Sequence, residues 1–191
     1  MVLYTITNGI SFALTICLGH LLSQEQIRSA KQLAVGCFIF TSTLAVLIST
    51  FMYNRRQQII ELFTSDEDVI EGCQTIWTNF CFFIITDHMF ASNMGILTSL
   101  GMQARAGFTV IIVLWFGNFP FIYRSITRHD YEADGVDGIS GLKMVWHSMN
   151  IAYVVLNIVL VVQSLLADWR IKLRKKRSFY EEIEDASTAL T

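Results

Sequence analysis

The chain has 191 residues, of which 53% are hydrophobic and one is proline, and its formal net charge is -2. With a mean hydropathy of +0.47 it is too apolar for a soluble domain of this length, which places it in a bilayer. The long apolar runs lack period-2 alternation, which excludes a membrane β-barrel.

A helix needs about 20 mostly apolar residues to cross the hydrocarbon layer with every backbone amide satisfied. Five stretches meet that requirement: roughly 2–22, 33–53, 74–100, 106–123 and 144–167. The expected fold class is therefore an all-α membrane protein of five transmembrane helices, a transmembrane domain over 1–169 followed by a tail over 170–191. The run after Met1 has no basic segment and no small-residue cleavage site, so it reads as a span rather than a signal peptide. Cys17, Cys37, Cys73 and Cys81 include no CxxC and read as small apolar residues rather than metal ligands or disulfide partners.

The first span is polar for its kind, interrupted by Thr5, Thr7, Asn8, Gly9, Ser11, Thr15, Gly19 and His20. Small and hydroxyl residues allow close helix approach, so Gly9, Ser11 and Ala13 predict a helix enclosed by others. His20 reads as interfacial. A short link carrying Arg28 and Lys31 leads to the second span, which bears no charge. The following segment from Asn54 to Cys73 includes an apolar strip of Ile59, Ile60, Leu62 and Phe63, which predicts an interfacial helix. Thr64 with Glu67, or Ser65 with Asp68, forms a capping pattern for the next helix, with Asp66, Glu67 and Asp68 as first-turn acids.

The third span carries the chemistry. Asp87 and His88 stand side by side near its middle, and an ionisable residue at that depth is costly unless it meets a wet cavity or a partner. Helical periodicity places Phe80, Phe83, Ala91 and Met94 on the same side as Asp87. The structural alternative is an Asp that packs helices together, paired with His88 or with a hydroxyl of another span. Asn93 and Gly95 continue the polar character, and Gly101-Met-Gln-Ala-Arg105 reads as a tight turn. Span four holds Pro120, which predicts a kink that frees backbone carbonyls. The segment from Arg124 to Lys143, with Asp130, Glu132, Asp134 and Asp137, reads as a polar loop. Span five ends at Asp168-Trp169, a Trp suited to the headgroup boundary.

Six of the first eight tail residues are basic, which suits an anionic cytoplasmic leaflet and predicts a cytoplasmic C-terminus. Beside a span, that basic run implies lipid contact and no nucleic-acid partner. The tail's side then also holds Arg28, Lys31 and Arg105, nine basic residues against five on the other: Arg55, Arg56, Arg124, Arg128 and Lys143. An odd number of spans beginning at residue 2 suggests part of a longer chain.

Several motifs in order resemble the multidrug and toxic compound extrusion (MATE) transporters. Residues 6–13, ITNGISFA, then Leu18-Gly19 and Ser29-Ala30, resemble that family's eighth helix. Ile60-Glu-Leu-Phe-Thr-Ser-Asp66 with Val69 is similar to the loop before its tenth, and Asp87 occupies the place of that helix's aspartate. Gly101-Met-Gln is similar to the turn that follows, with Met102 in place of a second glycine. Gly117-Asn-Phe-Pro120 resembles the glycine-leucine-proline of helix eleven, with Asn118 in place of leucine, and Gly141 to Trp146 and Asp168-Trp169 match the ends of helix twelve.

The resemblance implies helices eight to twelve of a twelve-helix, two-lobed efflux antiporter in the plasma or vacuolar membrane. It would export small organic cations or xenobiotics, coupled to protons or sodium ions, with no cofactor and no resident metal. Asp87, Asn93, Asn8 and Pro120 are the pathway candidates. The first lobe is absent from this sequence, so a missing N-terminal lobe or a partner chain is implied. A non-transporting remnant or helical assembly partner is the second reading. An intramembrane enzyme using Asp87, His88 and His147 finds no nucleophile motif or metal-ligand spacing.

Overall fold

A computed structural model describes residues 2–128 and 137–169. These residues are helical with no strand among them, and the elements are α1 (Val2–Ser23), α2 (Ile27–Asn54), α3 (Arg56–Glu61), α4 (Glu67–Ser99), α5 (Gln103–Val110), a π-helical stretch (Ile111–Asn118), α6 (Phe119–Arg128) and α7 (Asp137–Leu166). Four stretches are long and apolar enough to cross a membrane: Ile27–Asn54, Glu67–Ser99, Gln103–Arg124 and Gly141–Leu166. Asn8–Ser23 of α1 is a shorter apolar helix. The acidic loop residues Asp130, Glu132 and Asp134 and the basic tail lie outside the described residues.

Helix α4 is the centre of the bundle, with α1, α2 and α7 packed around it. Its register with each neighbour is read from side-chain hydrogen bonds. Ser11 Oγ donates to the Ala91 carbonyl and Thr15 Oγ1 to the Gly95 carbonyl, both eighty residues apart, so α1 and α4 run parallel. Asn150 Nδ2 donates to Asn79 O and Asn157 Nδ2 to Thr86 O, both seventy-one apart, so α7 is parallel to them. Against α2 the pairing reverses: Thr41 meets Ser92, Ser49 meets the Cys81 carbonyl and Trp77 meets the Met52 carbonyl. First, third and fifth spans therefore run one way and the second the other, as single crossings require.

The apolar core gathers at one end, where Leu14, Leu18 and Leu22 of α1 meet Ile96, Leu97 and Leu100 at the end of α4 and Leu156 and Leu160 of α7. Away from it the bundle's interior is polar, with Thr41, Ser49, Thr86, His88, Ser92, Asn93, Asn150 and Asn157 all buried. The outer surface is the reverse. Ile39, Phe40 and Leu47 of α2, Trp115 and Phe116 of the π stretch, and Ile158 and Leu165 of α7 are exposed. Such a surface suits lipid as its solvent.

Local chemistry accounts for the helix ends. At the end of α4, Gly101 adopts φ +67°; its N–H donates to Thr98 O at 2.9 Å and that of Met102 to Leu97 O at 2.8 Å. This paired closure is a Schellman cap, which glycine enters without Cβ strain, and it makes the expected tight turn. Glu25 closes α1 in the same manner at φ 59°, with Gln26 N–H donating to Leu21 O.

Four expectations are corrected. The N-cap of α4 is Asp66, whose Oδ1 accepts from Asp68 N–H at 3.0 Å, while Thr64 Oγ1 accepts from the Asp66 N–H. Asp66 lies one residue ahead of the helix, where its oxygen reaches an unsatisfied donor, so it caps rather than joining the first turn. Helix α1 is not enclosed: Ser11, Leu14, Thr15, Leu18 and Leu22 face the bundle, but Gly9, Phe12, Ala13, Ile16 and Cys17 are exposed, because only α2 and α4 pack broadly on it. The polar segment from Arg124 to Lys143 is not all loop, since α6 runs to Arg128 and α7 starts at Asp137; charged residues sit comfortably in helix that has left the hydrocarbon.

Proline's effect is more extended than a point kink. Pro120 lacks an N–H and its ring crowds the carbonyl four residues back, which a regular turn cannot relieve. The preceding eight residues widen to π geometry, ending with Phe119 N–H donating to Leu114 O, five residues back. Wide turns redistribute the hydrogen bonds that proline disrupts.

Candidate functional site

The site is built on the middle of α4. At about 100° per residue, Ala91 and Gly95 mark the edge that meets α1, while Phe83 and Phe90 mark the edge that meets α7. Asp87 falls between these edges, at the seam between α1 and α7. The Tyr153 ring lies against both aromatics, with centroids 4.8 Å from Phe83 and 5.7 Å from Phe90. Trp146 extends the wall one heptad earlier, 5.7 Å from both Phe80 and Phe83. Asp87 is half-buried, and among the described residues its carboxylate takes no hydrogen bond.

The constant offset of eighty residues between α1 and α4 places Asn8 level with His88. Asn8 is half-buried. The sequence separates these residues widely; the parallel register brings them to one height.

His88 faces a different side of the helix. It is 2% exposed, and its Nδ1 lies 2.8 Å from the Ile84 carbonyl. A carbonyl can only accept, so Nδ1 carries the proton in this contact. Next to it Ser92 Oγ donates to the His88 carbonyl and stands 2.7 Å from Thr41 Oγ1 of α2. Adjacent helical residues point about 100° apart: Asp87 meets the seam and His88 the interior.

Asn93 lies in the α4–α7 contact, 1% exposed, donating from Nδ2 to Asn157 Oδ1 at 2.9 Å. Asn157 Nδ2 in turn donates to the Thr86 and Tyr153 carbonyls. The pair is a buried amide clasp between helices. Pro120 lies apart from these residues, exposed near the start of α6, with its effect on the backbone of the fourth span. The structure thus brings Asp87 and Asn8 to one level, uses Asn93 to join α4 to α7, and separates Pro120.

Of the α7 partners, Asn150, Tyr153 and Asn157 were not singled out from the sequence. Their signal was the seven-residue spacing of Asn150 and Asn157, and of Trp146 and Tyr153, which keeps each pair on one face of a packed helix. His20 is exposed at the end of α1, 3.2 Å from Gln24 Nε2. His147 is exposed near the start of α7. All four cysteines are free thiols, and among the described residues no three of His, Cys, Asp and Glu converge.

A family model described as MatE matches residues 1–124, from α1 into α6. No curated protein and no solved structure matches the chain.

Proposed function

Because this chain belongs to the MatE family of membrane transporters, we propose that it forms part of a cation-coupled efflux antiporter in which Asp87 is the charge in the transport pathway. The observation that carries the proposal is the setting of that carboxylate. It is half-buried in the middle of a membrane helix, beside Phe83 and Phe90, with no hydrogen bond among the described residues. A carboxylate held for packing would be bonded, as Asn93 and Asn157 are. A carboxylate kept open at a helix seam can exchange ligands: a proton or a sodium ion in one state, an organic cation in another.

The aromatic wall supports the substrate class. Tyr153, Phe83 and Phe90 present π faces and edges beside the carboxylate, and aromatic rings next to a negative charge favour delocalised or quaternary cations. Asn8 supplies polar groups at the same height. The widened turns before Pro120 give the fourth span a place to bend, in keeping with a pathway that opens and closes. The C-terminus is proposed to be cytoplasmic. Lys31 Nζ lies 5.7 Å from the Trp169 ring centroid and Arg105 lines a cavity with Asp168, so these two basic residues lie near the end of α7, which supports the reading.

The test is export of a fluorescent organic cation from source cells in which the native protein carries Asp87→Asn, with surface abundance matched to wild type. The expected result is export near background, with Asp87→Glu partly active. Wild-type export by Asp87→Asn would remove the residue from the mechanism.

A further inference from the structure

The aromatic wall beside Asp87 continues past it. On α4, Phe80 and Phe83 fall within about 40° of Asp87 around the helix. Trp146 of α7 stands against both, with ring centroids 5.7 Å away and interplanar angles of 89° and 80°. Trp77 lies 5.6 Å beyond Phe80. Phe80 is one heptad from Asp87, about 10 Å of helix rise. Because α4 runs parallel to α7, toward the end that carries Trp169, this extension leads toward the opposite end of the bundle.

These rings stand outside the buried core. The core cluster is built of Leu, Ile, Ala and Met, and Trp169 is the one buried Phe, Tyr or Trp among the described residues. Trp77, Phe80, Phe83 and Trp146 are all half-buried. An edge-to-face pair leaves both faces of the edge-on ring clear of its partner, so Trp146 with Phe80 and Phe83 keeps π surface that their own contacts do not use. No Asp, Glu, Lys or Arg lies between Glu71 and Asp87 on α4, or between Lys143 and Asp168 on α7. A cation at this level meets aromatic rings and no counter-charge.

We propose that Phe80, Phe83 and Trp146 form a second binding station, for planar aromatic cations, one heptad from Asp87 toward the end away from the tail. The proposal rests on the reading of the chain as a transporter of organic cations, and not on Asp87 being its coupling charge. Trp146 carries the cation–π contact, Trp being the strongest ring for it, and Phe80 and Phe83 stack on the ligand's own rings. With no carboxylate the station holds a cation less tightly than Asp87 does, so a cation that reaches it can leave, as passage between successive sites requires. With the tail cytoplasmic, the station stands on the release side of an exporter.

The test is equilibrium binding of ethidium, a planar aromatic cation, to the full chain in detergent, followed by fluorescence anisotropy. The forms compared are wild type, Asp87→Asn, Trp146→Leu and the two changes together. Asp87→Asn is expected to leave residual binding, and adding Trp146→Leu to weaken it about tenfold, the scale of one desolvated cation–π contact. Trp146→Phe in the same background keeps a ring and loses less. Dihydroethidium, the uncharged form of the probe, is expected to bind the Asp87→Asn form about tenfold more weakly than ethidium. Residual binding that Trp146→Leu leaves unchanged overturns the proposal, as does equal binding of the uncharged form. If Trp146→Leu does not fold, Phe80→Leu in the same background decides it by the same outcomes. Full-strength binding by Asp87→Asn would refute the role of Asp87 alone, since the effect of Trp146→Leu still supports or overturns the station.

Discussion

A Cβ added to Gly95 would stand 2.9 Å from the Ser11 carbonyl oxygen and 3.0 Å from its hydroxyl. These two residues set the distance between α1 and α4, because the hydroxyl bonds of Ser11 and Thr15 reach the α4 backbone only at that separation. Gly95→Ala is expected to push the helices apart and cost about 1–3 kcal/mol, the usual range for overpacking. Gly9→Ala meets nothing within 4 Å and is the control, expected to be neutral or slightly stabilising. Thermal unfolding of the two variants in detergent checks the pair.

The Asn93–Asn157 clasp is expected to be worth less than its burial suggests. Hydrogen bonds between membrane helices average about 0.6 kcal/mol, with a maximum near 1.7. Each single change to Ala strands the other amide and should cost about 1–3 kcal/mol. The double variant should cost less than the sum of the singles by the coupling energy, which a double-mutant cycle of unfolding free energies measures.

Two left-handed residues close helices with the same pair of hydrogen bonds but at different cost. Gly101 at φ +67° suits its position, while Glu25 at φ 59° bears the Cβ strain of that region. Gly101→Ala should destabilise by about 1–2 kcal/mol, and Glu25→Gly should stabilise by up to about as much. Opposite shifts in the unfolding midpoint are the expected outcome.

Pro120→Ala restores an amide N–H and removes the ring from the Phe116 carbonyl. The π stretch over Ile111–Asn118 should then tighten toward α-helix, with slower amide exchange at Phe116 to Tyr123. Unchanged exchange there would show that the wide turns have another origin.

How much of this was legible beforehand differs from element to element. The spans were, because a membrane helix is announced by length and apolarity alone; Leu33 to Tyr53 falls inside α2 as expected. The Gly101 turn was legible because left-handed backbone selects glycine. The cap of α4 was misplaced by one or two residues, since Thr64, Ser65 and Asp66 are all capping types and only the path of the chain chooses among them. The clasp partner Asn157 was missed: an asparagine in a span states that it needs a partner, not which one.

The sequence by itself determined the solvent, the crossings and the depth of Asp87, for these depend on hydrophobicity summed along one strand of chain. The tertiary structure alone decided what each polar residue does at its depth. Asp87, His88 and Asn93 share one helix within two turns, yet one meets the α1–α7 seam without a hydrogen bond, one the interior beside α2, and one an amide on α7. Their fates differ because helical rotation turns each toward a different neighbour, and the parallel register that puts Asn8 level with His88 exists only once α1 has packed on α4.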